Sequence, residues 1–299
     1  MTAETASPAS SAKAGRKSRR RKRSAASIGL DVLNHGLLCV VALFFLFPFF
    51  WMVSNAVRGN AEVLAIPPRL FPNEWQWGNF VEAWLYLPFG QFFLNSAIVA
   101  GSVTAITVVV SALAAYAFAR LRFPGREGIL VAYLGTLMIP QAMLVIPLFL
   151  IISRVGWINT YQGLILPMAF SSFGAFLLRQ FFLSIPKELE EAALIDGASR
   201  LRILVSIFVP MAMPAIGLLS LFTFIAQWNN FLWPLIVVNG MDKATLPLGL
   251  TMFQTQQGTA WNYIMAGATL SMIPGVILAV ILQQFIYKGI TIGSGFGGR

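Results

Sequence analysis

Six stretches of the chain contain no aspartate, glutamate, lysine or arginine: 32–57, 83–119, 128–153, 155–178, 203–241 and 244–287. Each exceeds the roughly 20 residues that a helix needs to cross about 30 Å of hydrocarbon. The apolar runs are continuous and lack the alternation of a strand. Because backbone in lipid must satisfy its own hydrogen bonds, helices are the spanning solution. Composition agrees: the 299 residues are 57% hydrophobic and 11% charged, whereas an ordinary globular domain is about 25% charged. The pattern predicts an all-α integral membrane protein with six transmembrane helices near 34–54, 94–118, 129–151, 161–183, 212–236 and 263–286. It excludes a soluble enzyme and a disordered scaffold. Residues 244–262, rich in Thr, Gln and Gly, read as a loop. Residues 203–241 are too long for one crossing, yet Phe231–Val238 is too short for a second. One span with an irregular continuation is expected there.

The net charge of +10 is concentrated in one place, since eight of the 21 basic residues fall between Lys13 and Arg23. No aromatic residue is interleaved with these bases, so the run does not read as a nucleic-acid patch. It is also too long, and lacks a small-x-small site after the apolar run, for a cleaved signal peptide. Residues 1–33 are expected to be a disordered basic cytoplasmic tail, 34–290 the transmembrane domain and 291–299 a short cytoplasmic tail. Of the lysines and arginines, 17 lie in the N-terminal tail, the 119–128 loop (Arg120, Arg122, Arg126), the 179–211 loop and the C-terminus. The alternate loops hold only Arg58, Arg69, Arg154 and Lys243. The positive-inside rule therefore predicts cytoplasmic N- and C-termini.

The spans are poor in chemistry. No acid lies inside a predicted span, and the one histidine, His35, sits at the edge of the first. Ion-coupled carriers generally keep an ionisable relay group at membrane depth, which counts against an ion-coupled secondary carrier, the alternative from another class. No Ser-His arrangement, acid pair or metal-ligand cluster points to catalysis, so neither catalytic residues nor a metal are expected. No Gly-Lys dipeptide occurs, so a phosphate-binding P-loop is absent too. The single cysteine, Cys39, excludes a disulfide framework. Any driving energy has to come from another chain.

The loop 184–211 is the exception. It holds four of the eleven acids, Glu188, Glu190, Glu191 and Asp196. Ser184 and Pro186 signal a helix start, and the acids favour the positive end of its dipole. Gly197 suits the left-handed conformation that ends a helix. Ser199 suits the cap of a second helix, on which Leu201, Leu204, Val205 and Phe208 recur at amphipathic spacing before Pro210 closes it. A short helix, a sharp turn and a surface helix are expected. Two adjacent alanines present a small surface that another backbone can approach, with acids beside it.

The spacing Glu191-Ala192-Ala193, three residues, Gly197, nine residues, Ile207, one residue, Val209, Pro210 resembles the EAA signature of ABC importer permeases, with Val209 where leucine is usual. The segments NSAIVA (95–100), AYAFARLRFPGR (115–126), INTYQGLILP (158–167), IPKELEEAALIDGAS (185–199), WNNFLWPLI (228–236) and YKGITIGSG (287–295) resemble the maltose-transporter-type sugar permeases, in their second, six-span subunit. The end of the chain, SGFGGR, departs from that family.

The resemblance implies a type I ABC importer of the bacterial or archaeal cytoplasmic membrane. Two permease subunits would share the bilayer, two cytoplasmic ATPases would hold ATP and Mg, and an extracytoplasmic sugar-binding protein would deliver the solute. This chain would carry no cofactor. Glu191, Ala192, Ala193, Asp196, Gly197, Ile207 and Pro210 would form the ATPase-coupling element. The rings and amides of Trp228, Asn229, Asn230 and Trp233 have the chemistry to line a sugar path, with helix packing as the structural alternative.

Overall fold

The computed structural model describes residues 25–255 and 258–295. The basic run Lys13–Arg23 and the last four residues, on which two of the sequence expectations fall, lie outside them. The chain divides into two compact units, Met1–Pro48 and Phe49–Arg299. The first helix, Ala25–Ala56, starts within the stretch expected to be a tail, because Ala25 to Leu30 are apolar apart from one serine. In the first unit every side chain from Leu33 to Pro48 is exposed, including Leu37, Leu38, Phe44 and Phe45. A helix that is apolar on all sides is a membrane span.

In the second unit the axis is the helix Phe89–Arg120. Its buried positions (89, 92, 95, 96, 99, 100, 103, 107, 111, 112, 115 and 116) recur every three or four residues, so one face is covered along its whole length. Ser172–Ser184 and Met213–Trp228 pack on that face. Small residues permit the close approach: a Cβ on Gly174 would lie 2.5 Å from Ser111 Oγ. The two halves of the axis enter two separate apolar clusters. Phe89, Phe92, Val99 and Val103 pack with Trp228, Trp233, Leu246 and Phe253. Ala112, Ala115 and Tyr116 pack with Leu178, Phe182, Ile203, Phe208 and Leu219.

Among the described residues, three helices are long and apolar enough to cross a bilayer: Leu33–Ala56, Phe89–Arg120 and Trp261–Ile281. Three more apolar segments are bent pairs, Arg126–Met138 with Gln141–Val155 (101°), Tyr161–Met168 with Ser172–Ser184 (47°), and Arg200–Met211 with Met213–Trp228 (80°). Proline accounts for much of the bending, since it lacks an N–H and crowds the preceding turn. Pro140 precedes the second helix of the first pair, Pro167 sits in the 3-10 turn of the next, and Pro214 starts the helix after the 80° bend.

The helix Met213–Trp228 stops at Asn229, and the short helix Leu232–Val237 follows. The 244–262 segment, read as a loop, holds more structure than its composition suggests. It contains the helix Leu246–Thr251 and a two-residue antiparallel pairing of Gln254–Thr255 with Gly258–Thr259. Its leucines provide the reason: Leu246 and Leu248 are buried, and Gly249 lets the helix press against the Phe92 ring. The last helix continues from Trp261 to Gly295, past the predicted end of the span.

Two buried polar groups tie loops to helix ends. Arg58 donates to Ser54 Oγ (2.8 Å) and to the Arg69 carbonyl (2.6 Å), under the ring of Trp51. Asn95 donates to the carbonyls of Asp242 (3.0 Å) and Ala244 (2.8 Å), and accepts from Tyr161 Oη (2.7 Å) and Gln91 Nε2 (3.0 Å).

Candidate coupling surface and an amide-lined cavity

The acidic loop forms a helix, Lys187–Ile195, with Pro186 in the capping position; Ser184 instead ends the preceding helix. At its C-terminus Gly197 has φ +77°, the Gly197 N–H bonds the Leu194 carbonyl (3.1 Å), and the Ala198 N–H bonds the Ala193 carbonyl (2.9 Å). This pair of bonds is a Schellman turn, which fills the carbonyls that a helix end leaves open. Ser199 caps the following helix by accepting from the Arg202 N–H.

That second helix differs from expectation in two ways. Leu201 and Val205 are exposed, and the buried positions are Ile203, Leu204 and Phe208. With half-buried Ile207 these recur at helical spacing, on a face turned from the expected one, and a π turn spans Leu204–Phe208. Pro210 does not close the helix, which runs on to Met211. The π turn relieves the clash that Pro210 would otherwise make with the preceding turn.

The helix Lys187–Ile195 has one buried residue, Glu190, 7% exposed. Its Oε1 accepts from Tyr116 Oη (3.1 Å) and lies 2.5 Å from Arg200 Nη1, while its Oε2 lies 3.8 Å from Arg120 Nε. Arg120 also donates through Nη2 to the carbonyls of Phe182 (2.6 Å) and Ile185 (2.5 Å), and its guanidinium stacks 4.9 Å from the Phe208 ring centre. A carboxylate removed from water is tolerable here because two guanidiniums and a phenol face it.

Glu191, Ala192, Asp196 and Gly197 lie on the outside of the turn; Leu194 and Ile195 are exposed as well, the latter by 86%. Ala193 and Ile207 are half-buried against the apolar cluster that holds Phe182 and Phe208, and Pro210 is exposed. The structure thus brings Glu191 to Gly197 together on one protruding turn, with Ile207 and Pro210 in the next helix. An open groove of about 900 Å³ runs beside the turn, lined by Arg120, Lys187, Glu190, Glu191, Leu194 and Arg200 among others. Sequence patterning carries no signal for Glu190, because its partners lie ten and some seventy residues away.

A second concavity, of about 320 Å³, opens where the helix Met213–Trp228 breaks. Asn229, Asn230 and Trp233 line it, together with Gln141, Gln227 and Met168. Trp228 lies outside this lining: its indole donates to the Ser271 carbonyl (2.8 Å) and stacks on Phe224. Trp233 is also anchored, through Nε1 to the Gly163 carbonyl (3.0 Å). Asn230 Nδ2 donates to Gln227 Oε1 (3.1 Å), whereas the Asn229 carbonyl oxygen and the Gln227 NH2 have no partner among the described residues. The lining carries no charged side chain. Gln141 and Gln227 are far apart in the chain, so no local pattern pairs them.

Residues 107–292, more than half of the chain, match the family described as "Binding-protein-dependent transport system inner membrane component". The chain belongs to that family. This permease is 36% identical over 270 residues to the sn-glycerol-3-phosphate transport system permease protein UgpE of Pectobacterium atrosepticum, covering 88% of this chain and 96% of that protein. It is 37% identical over 273 residues to the trehalose/maltose transport system permease protein MalG of Thermococcus litoralis, covering 88% and 98%. A chain of a bacterial ABC transporter involved in the import of the acidic polysaccharide alginate superposes with a TM-score of 0.76 at 23% identity, covering 88% of this permease and 98% of that chain. The fold is therefore that of a type I ABC importer permease. The permease is a multi-pass inner-membrane component of a transport system that works with a binding protein.

Proposed function

We propose that this permease is one of two membrane subunits of a sugar importer, driven by ATP hydrolysed on two separate cytoplasmic ATPase subunits. ATP and Mg belong to those subunits, and an extracytoplasmic sugar-binding protein delivers the solute. Both chain termini and the 184–211 loop face the cytoplasm, as the positive-inside count requires. The observation that carries the proposal is the turn from Glu191 to Gly197, exposed above and fixed below by a buried ion cluster and a Schellman turn. Such a knob fits a cleft on an ATPase. Closure of the ATPase pair on ATP would draw the knobs together and turn the solute path outward, and hydrolysis would reset it. This is a two-state device biased by a ligand on another chain.

The substrate is a mono-, di- or oligosaccharide or a related polyol. The relatives named for glycerol phosphate and for trehalose and maltose support this class. In the amide-lined cavity Asn229 and Asn230 take the path-lining role, amides meeting hydroxyls, and the largely buried Trp233 ring forms part of the wall. Trp228 takes no part in that lining and instead ties its helix end to the Ser271 carbonyl.

Affinity purification of the tagged chain in mild detergent tests the reading, with candidate sugars then assayed on the co-purified binding protein. An ATPase and a second permease should co-purify. A chain recovered alone under gentle conditions would contradict the reading and favour an ion-coupled carrier.

A further inference from the structure

We propose that Glu190 is a positioning residue: its buried carboxylate ties the helix Lys187–Ile195 to the helix Phe89–Arg120 so that the two move as one body. The inference rests on the importer reading and assigns one of its two adjacent glutamates to force transmission rather than to docking. Successive helical residues point about 100° apart, and here the difference is complete. Glu191 is exposed, while Glu190 is the one buried residue of its helix.

The other inward contact of that helix is Ala193, half-buried against the apolar cluster that holds Leu178, Phe182 and Phe208. A methyl group resists compression but offers little hold against sliding or rotation. The carboxylate supplies that hold. It joins Tyr116 and Arg120 at the end of the long axis to Arg200 at the start of the next helix. Arg120 in turn grips the carbonyls of Phe182 and Ile185, at the end of the helix Ser172–Ser184. Four segments therefore converge on one carboxylate. Arg120 Nε, buried and without a hydrogen-bond partner at 3.8 Å from Oε2, leaves slack for the cluster to tighten when the knob is pushed. Glutamine at 190 would keep the shape but present a neutral amide to two guanidiniums, so the hold on Arg120 and Arg200 would weaken.

The test uses the full complex with its ATPase and second permease in lipid nanodiscs. Cys39→Ser removes the native thiol, and Asn239→Cys places a reporter on an exposed residue at the opposite end of the long axis. The rate of maleimide labelling is read without nucleotide and with MgATP plus vanadate. In the complex with native Glu190, nucleotide should change the rate. Glu190→Gln should lose most of that change while retaining the ATPase at the same stoichiometry and its basal hydrolysis. Glu190→Asp, which keeps the charge, should recover part of it. Arg200→Gln removes only the half-exposed partner, 51% exposed, and should give an intermediate loss even if Glu190→Gln fails to assemble. An undiminished nucleotide response in both neutral variants would overturn the proposal and leave the importer reading standing. Absence of an ATPase, or of any response with native Glu190, would remove the importer reading and this inference together.

Discussion

The two ends of the helix Phe89–Arg120 solve the same problem with different chemistry. At one end Asn95, fully buried, makes four hydrogen bonds with neutral partners, two of them backbone carbonyls of the 242–244 loop. At the other end Glu190 is held by charged side chains, one of them half exposed, beneath a turn whose outer face is open. A neutral network with every group paired fixes a loop within its own chain. An ionic cluster under an open surface fixes a knob that is itself free to meet a partner. On the importer reading proposed above, the contrast separates a region that serves cohesion from one that carries load.

The largest effect expected is from Glu190→Leu, which leaves Arg120 buried without its counter-charge. Removing one partner of a buried pair costs about 3–5 kcal/mol, so the purified complex should show a clear fall in thermal unfolding midpoint. Asn95→Leu strands the Tyr161 hydroxyl and two loop carbonyls. With roughly 1–3 kcal/mol for each buried group left unpaired, its cost should be comparable, and the same melting experiment compares the two. If Asn95→Leu were harmless, the cohesive role of the neutral end would be wrong.

Gly197→Asp sharpens the contrast by separating stability from coupling. Nothing lies within 4 Å of a Cβ built at Gly197, so the penalty is the left-handed backbone alone, about 1–2 kcal/mol. Assembly should survive on size-exclusion chromatography while ATP-driven uptake falls. Wild-type uptake by an assembled Gly197→Asp complex would count against the coupling assignment. The smallest stability effects belong to the amide cavity. Trp228→Phe loses one hydrogen bond, about 1 kcal/mol, with uptake kinetics otherwise retained. Asn229→Ala should change stability by under about 0.5 kcal/mol yet raise the concentration of sugar needed for half-maximal uptake. An unchanged uptake curve for Asn229→Ala would remove that residue from the path.

Features that depend on a few neighbouring residues are legible in the amino-acid sequence. Charge-free runs mark the helical segments, Gly197 marks a left-handed turn, and Ser199 marks a cap, because each follows from local backbone chemistry. Features that depend on distant partners are not legible in this way. Glu190 looks like one of four similar acids, and only Arg120 and Tyr116, brought alongside by the fold, distinguish it. Leu246 and Leu248 sit in a polar-looking stretch, yet Phe92 and its neighbours bury them. Trp228 and Trp233 read alike and both are buried, but only the second, beyond the helix break at Asn229, borders the cavity. The covered face of the helix before Pro210 is set at a distance too: Ile203 and Ile207, rather than Leu201 and Val205, join Leu204 and Phe208 against the cluster that holds Leu178 and Phe182.

The central claim is that the Glu191–Gly197 turn seats in an ATPase. Site-specific photo-cross-linking tests it most directly: in a Cys39→Ser chain, a benzophenone maleimide is attached at Ala192→Cys and the purified complex is irradiated. A covalent adduct between this chain and an ATPase subunit is predicted, and none from the same probe at Asn239→Cys. An assembled complex that gives no ATPase adduct from position 192, or gives one from position 239, would contradict the claim.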